Sequence, residues 1–347
     1  MTAKKILCTL GPASLKPDVI AELAHRGIDL FRINLSHTAP DDVEPTIDFV
    51  QKHSDVPICL DTEGAQVRCG GMEAGVFLAE GQPVRLLPGQ AFGDGEAFSL
   101  RPVSIFEELQ AGNIVHVDSD GAVLRVTDVG EGEAEAIVVG GGKVASNKAV
   151  TIEPPPRLPS LTEHDLLAIQ RGVLAGIRHF ALSFANHADD VKHLRGLLPP
   201  DSNVIAKIES LSGVHNVEPI TMAADAVLID RGDLSREVPM EHVPIYQKHI
   251  IRQANALNTP VFVATNLLES MIVSRYPTLA ESNDIFNTLC DGAHGLVLAA
   301  ETAIGDHPVE SVDAVLRMVD AFERFTARPV FGDRRSEPRT PAETSDG

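Results

Sequence analysis

Two short apolar runs near the middle of the chain each break into charge. Val204-Ile205-Ala206 gives way to Lys207-Ile208-Glu209-Ser210, and Ala226-Val227-Leu228-Ile229 gives way to Asp230-Arg231-Gly232-Asp233. Runs of this length and type suit β-strands. Ligands of α/β sheets and barrels bind at the carboxyl ends of strands, so polar groups delivered there form a usable set. Two carboxylates can hold a divalent cation through oxygen, and a Lys beside them can neutralise a substrate anion. Strand-end salt bridges on a solvated rim would leave the same pattern, and these residues alone do not choose between the two.

The elements that must position these groups follow from the rest of the chain. Between the two runs, Leu211 to Ala224 carries Gly213, Val214, Val217, Ile220 and Met222 at spacings that predict one helix. Strand and helix signals alternate from the start: strands at Lys5 to Leu10, Leu30 to His37 and Pro57 to Thr62, with helices after the first and second. Alternation resumes after Thr162, which resembles an N-cap, and adds strands at His179 to Phe184, Val261 to Thr265 and Gly295 to Leu298. The count is that of an α/β (β/α)8 TIM barrel, with a doubly wound open sheet as the competing arrangement.

Between Cys69 and Pro156 the helical periodicity is lost and short β-like runs appear at Val84 to Leu87, Ile114 to Val117, Val123 to Val129 and Ala136 to Val139. We expect a small all-β lid domain at 69–156, inserted after strand three, with the split barrel at 1–68 and 157–327. The tail, 328–347, is rich in Pro, Arg, Ser and Glu and reads as disordered.

A hydrophobic share of 44% and a charged share of 22% describe an ordinary globular protein. The net charge of −20 and the lack of a basic run argue against nucleic acid as a partner. No apolar run approaches a membrane span, and the first residues lack a signal-peptide core. Cys8, Cys59, Cys69 and Cys290 show no metal or redox spacing, which fits a reducing cytoplasm.

Longer motifs then stand out: CTLGPAS (8–14), FRINLSH (31–37), LDTEGAQVR (60–68), AKIES (206–210), DRGDLS (230–235), ATNLLESM (264–271) and AAETAIGDHP (299–308). In this order and spacing the chain resembles the pyruvate kinase family over roughly residues 4 to 325. The resemblance implies a barrel with a β lid, and phosphoryl transfer from phosphoenolpyruvate to ADP as a glycolytic step. It implies Glu209 and Asp233 as ligands of Mg2+ (or Mn2+), and Lys207 as the group that neutralises charge on the phosphoryl group and enolate. Gly232, Asp233 and Thr265 would receive the substrate carboxylate, and Arg32 would reach the phosphate. Arg68 and Lys148 would meet nucleotide phosphates, and Asn34, Ser36, Asp61 and Thr62 match the ligands of a monovalent cation, normally K+.

The pattern departs from the family at the chemistry. Ile304 stands for a Lys that helps bind nucleotide phosphate, and Ala299-Ala300 stand for Ser-Gly, where the Ser belongs to a proton relay. Asn266 stands for Gln, Glu63 for Lys, and Gln66 for the Glu or Lys that accompanies K+ dependence or independence. Two further readings therefore stay open: a metal-dependent enzyme using phosphoenolpyruvate or pyruvate with another acceptor, and a non-catalytic phosphoenolpyruvate-binding protein. The family's C-terminal domain, with its sugar-phosphate effector site, is not expected here, and any assembly is expected to be a dimer through barrel helices.

Overall fold

The computed structural model describes residues 4–64, 66–118, 121–130 and 132–327, so the tail expected to be disordered lies outside the described residues. Eight parallel strands close a barrel: β1 (Lys5–Leu10), β2 (Leu30–Asn34), β3 (Ile58–Asp61), β4 (His179–Leu182), β5 (Asn203–Ile208), β6 (Ala226–Asp230), β7 (Val261–Ala264) and β8 (Gly295–Leu298). Each strand pairs with its sequence neighbours among the eight, and β8 pairs with β1 to complete the ring. The closed ring excludes the open doubly wound sheet.

Strand periodicity explains how this ring makes both a core and a site. On β5, Val204, Ala206 and Ile208 face the surrounding helices and join the large outer core, while Ile205 packs inside the ring with Leu7, Leu30, Cys59, Ala181, Leu228, Phe262 and Val297. Two residues further along, the inward positions of β1 to β6 turn polar, and Thr9, Arg32, Asp61, Ser183, Lys207 and Asp230 are all buried there, while β7 and β8 bring Ala264 and Ala299. The bottom of the barrel is therefore a packed apolar plug and its carboxyl end a ring of buried polar groups.

A second sheet of seven strands, with its own buried core around Phe98, Leu100, Val115 and Leu124, is built from residues between Arg68 and Glu153. It contains the four expected runs, and also Ala97–Arg101 and Val150–Glu153, whose alternation is too short or too mixed to stand out in the sequence. Its first strand, Arg68–Cys69, follows the end of β3 by only a few residues.

The segment Leu211–Ala224 is not one helix. It folds as Leu211–His215 and Val217–Ala223, with Asn216 between them. Pro219 is the cause: it has no N–H to give to the His215 carbonyl, and its ring would press on that carbonyl, so it is tolerated only in the first turn of a new helix. Thr162 does cap the helix Glu163–Leu174, through a reciprocal pair of bonds with Asp165. Among the described residues no helix is long and apolar enough to cross a membrane.

Candidate active site

The site begins where β5 passes its last apolar residue. Lys207 and Glu209 project from alternate positions on the same inner face, and both are buried. Lys207 Nζ lies 2.8 Å from Glu209 Oε1, 3.2 Å from Asp61 Oδ1 and 3.9 Å from Asp230 Oδ2, and donates to Ser183 Oγ at 2.9 Å. Arg32 Nε stands 3.1 Å from Asp61 Oδ2. Burial works against the Lys207 charge, yet Asp61, Glu209 and Asp230 outweigh it and hold the ammonium above the ordinary lysine range.

Negative charge is in excess here. Glu209, Asp230 and Asp233 bring carboxylate oxygens within 4.8 Å of one another. Burial pushes the Glu209 carboxyl up, Lys207 opposes this, and the crowding by Asp233 and Asp230 adds to it. Asp233 is raised for the same reasons, burial first and Asp230 second. Glu209 Oε1 accepts no hydrogen bond of normal geometry despite its nearness to Lys207, while Oε2 accepts from the Phe184 N–H at 2.7 Å. Clustered, under-neutralised, hard oxygen donors fit a divalent cation such as Mg2+ or Mn2+. Asp230 belongs to this set although sequence reasoning named only Glu209 and Asp233. Its place as the last residue of β6, two after the inward apolar Leu228, was the available signal.

Gly232, Asp233 and Thr265 meet at the same rim. The Gly232 N–H donates to Thr265 Oγ1 at 2.8 Å and reaches Asp230 Oδ1 at 3.2 Å, so it is already committed within the protein. Thr265 and Asn266 both adopt positive φ, +66° and +52°, in a turn gripped by Arg231, whose guanidinium donates to both carbonyls and pairs with Asp284. Arg32 Nη1 is buried without a hydrogen-bond partner and lines a cleft of about 890 Å3 with Asn34, Asp230, Gly232, Asp233 and Thr265. Ile304, 62% exposed, together with Ala299 and Ala300, forms an apolar wall of that cleft.

The remaining candidates are placed unevenly. Asn34 and Asp61 are register partners across β2 and β3, and Asn34 Oδ1 accepts the Ser36 N–H. Thr62 Oγ1 accepts the Ser183 N–H at 2.9 Å, while the Ser36 side chain is exposed. Arg68 donates to the Asn147 carbonyl on the second sheet, and Lys148 pairs with Asp118 there; neither lines the main cleft. Sequence reasoning missed Ser183, whose hydroxyl links Lys207 to the Thr62 carbonyl, because a lone Ser at a strand end carries no pattern.

A family model described as the pyruvate kinase barrel domain matches residues 1–312. The chain belongs to the pyruvate kinase family. It is 34% identical over 351 residues to a pyruvate kinase of Sporosarcina psychrophila, covering 97% of this chain and 60% of that protein. It is 36% identical over 338 residues to a pyruvate kinase of Mycobacterium tuberculosis, covering 94% of this chain and 71% of the relative. The crystal structure of a pyruvate kinase from Cryptosporidium parvum superposes with a TM-score of 0.83 at 28% identity, covering 93% of this chain and 69% of that one. The chain thus spans about 60% of the Sporosarcina relative's length, and membership of the pyruvate kinase family rests on the barrel and the segment inserted in it.

Proposed function

We propose that the protein transfers the phosphoryl group of phosphoenolpyruvate to ADP, giving pyruvate and ATP. The observation that carries this reading is the joining, at one rim, of a buried ammonium, a buried guanidinium with an unmet donor and a divalent-cation carboxylate set. Phosphoryl transfer needs positioning and charge stabilisation more than covalent help, and these are the groups that supply both.

In this reading Glu209, Asp230 and Asp233 hold Mg2+ or Mn2+, which when bound supplies positive charge to the substrate oxygens. Arg32 Nη1 donates to the phosphoryl oxygens. Lys207, held charged by its carboxylates, offsets the charge that builds on the phosphoryl group and the enolate oxygen. Thr265 and the Gly232–Asp233 backbone receive the substrate carboxylate, which requires the Gly232 N–H to exchange its internal bonds for substrate. Arg68 and Lys148 approach the nucleotide when the second sheet acts as a lid over the rim. A K+ site at Asn34, Ser36, Asp61 and Thr62 belongs to the same proposal, as does a cytoplasmic location and a homodimer.

The exposed apolar wall of Ile304, Ala299 and Ala300 supports a second reading, in which the enolpyruvate end is kept but the acceptor is not a nucleotide. Pyruvate release from phosphoenolpyruvate with Mg2+, with and without ADP and K+, separates the two. Pyruvate formed only with ADP, with an equal amount of ATP, supports the kinase. Substrate binding without ADP-dependent turnover overturns it and leaves the second reading.

A further inference from the structure

Arg236 lies one helical turn beyond Asp233 and pairs with it, Nη1 to Oδ1 at 2.9 Å. With Asp233 it lines two neighbouring cavities. One is the main cleft that holds Arg32 and Thr265; the other is a cleft of about 550 Å3 between the barrel rim and the second sheet, lined by Gln66, Val67 and Thr151. Its side chain is 48% exposed, so the guanidinium is open to a ligand entering either cavity.

The charges around it make that position useful. Asp233 stands between two demands, as a member of the carboxylate set and as the partner of Arg236. When its charge is drawn to a divalent cation, it neutralises Arg236 less. With Arg236 48% and Asp233 25% exposed, the pair is partly solvated, and its opening costs less than that of a buried pair. Arg68 is near enough that both Asp233 and Arg236 bear on its charge. In a chain of net charge −20, Arg32 and Arg236 thus line one cleft, with Arg68 within electrostatic reach of Arg236. A planar fork of donors is the side chain best matched to phosphate oxygens. The part of the main cleft lined by Ile304, Ala299 and Ala300 is apolar and offers no cation.

From this placement we propose that Arg236 is the anchor for the acceptor's phosphates, exchanging its contact with Asp233 for the phosphates of a nucleoside diphosphate. The proposal rests on the kinase reading above and names the residue that holds its second substrate. It puts acceptor specificity on the helix after β6.

The test is ADP binding by titration calorimetry with Mg2+ and without phosphoenolpyruvate, beside the KM values for both substrates. In Arg236→Ala the Kd and KM for ADP rise about tenfold, the loss expected for one half-exposed charge-assisted contact. The KM for phosphoenolpyruvate stays within about twofold, and Arg236→Lys recovers part of the ADP affinity. Raised ionic strength weakens ADP binding more in the wild type than in Arg236→Ala. An unchanged ADP Kd in Arg236→Ala overturns the proposal, as does an equal rise in both KM values with a lowered Tm. Wild-type protein that binds ADP through Arg236 without turning it over removes the kinase reading and keeps the anchor. Wild-type protein that binds no ADP removes both.

Discussion

Lys207, within β5, and Glu209, just past its end, sit two residues apart with 2.8 Å between Nζ and Oε1, above a barrel interior that is apolar. Their nearness is a product of strand periodicity, and their charge is sustained by strands on either side: Asp61 from β3 and Asp230 from β6. Removing either side chain therefore unbalances several strands at once.

Lys207→Met should lower the turnover of phosphoenolpyruvate at least about a hundredfold, the scale of losing a preorganised charge at a reacting oxygen. It leaves Asp61, Glu209 and Asp230 without their shared cation, so stability falls by about 3 kcal/mol or more. Pyruvate release and urea denaturation read the two effects. A variant that keeps its turnover would exclude Lys207 from the chemistry.

Divalent cations should stabilise the protein through Glu209, Asp230 and Asp233. Saturating Mn2+ or Mg2+, at about a hundred times Kd, adds about 2.7 kcal/mol and raises Tm by several degrees. In Asp233→Asn and Glu209→Gln most of that rise disappears. Thermal scans with EDTA and with metal give the comparison, and an equal rise in all three proteins would place the cation elsewhere.

Glu301 supplies a pH test away from the cation set. Its carboxyl is buried, with Oε1 lacking a partner and Oε2 accepting the Ala299 N–H, and burial raises its pKa. The Ala299 bond, its own N–H and Arg32 oppose the rise, and Glu281 adds to it. A raised carboxyl holds more protons in the folded than in the unfolded chain, so its contribution falls as pH rises from the ordinary carboxylate value through the folded one. Glu301→Gln should gain stability relative to wild type as pH climbs from 4 to 8. Denaturation midpoints of the two proteins across that range check it, and parallel curves would count against a buried ionising group.

Asp165 ties the end of β3 to the helix that follows the second sheet. Its carboxylate accepts from the Glu63, Gly64 and Thr162 N–H groups, at 2.7, 3.1 and 2.9 Å, and is fully buried. Asp165→Ala leaves these donors unsatisfied and should cost about 3 kcal/mol or more by chemical denaturation. Asp165→Asn, which keeps one acceptor, should cost less.

Ile304→Lys asks whether the apolar wall limits ADP. If the acceptor's phosphates pass this wall, an added ammonium lowers the KM for ADP about tenfold. A KM that does not move would mean that the acceptor lies against Arg236 alone.

Much of this site was legible in residue order. The alternation on β5 and the charged ends of β3, β5 and β6 point to polar strand ends from residue order alone, and the motif resemblance implies roles for Lys207, Glu209 and Asp233. What the order of residues conceals is convergence from separate strands. Ser183 carries no motif, yet register puts it beside Lys207 and Thr62. Asp230 caps the helix Arg231–Glu237 by accepting from the Gly232 N–H, and only the fold brings it also into the carboxylate set. Pro219 was the opposite case, a local signal outweighed by the apolar spacing around it, and it broke a helix that the spacing alone extends through.

The closed ring of eight strands also divides ownership of the cleft. The groups that hold the enolpyruvate end in our reading come from β2, β5, β6 and β7, while the apolar wall follows β8 and the Arg236 helix follows β6. Because each strand end is anchored by its own apolar segment below, a substitution after β8 leaves the register of β5 untouched. Such a scaffold can trade one phosphate acceptor for another by local replacement while the donor half is inherited unchanged, so that new chemistry begins from a pocket already half built.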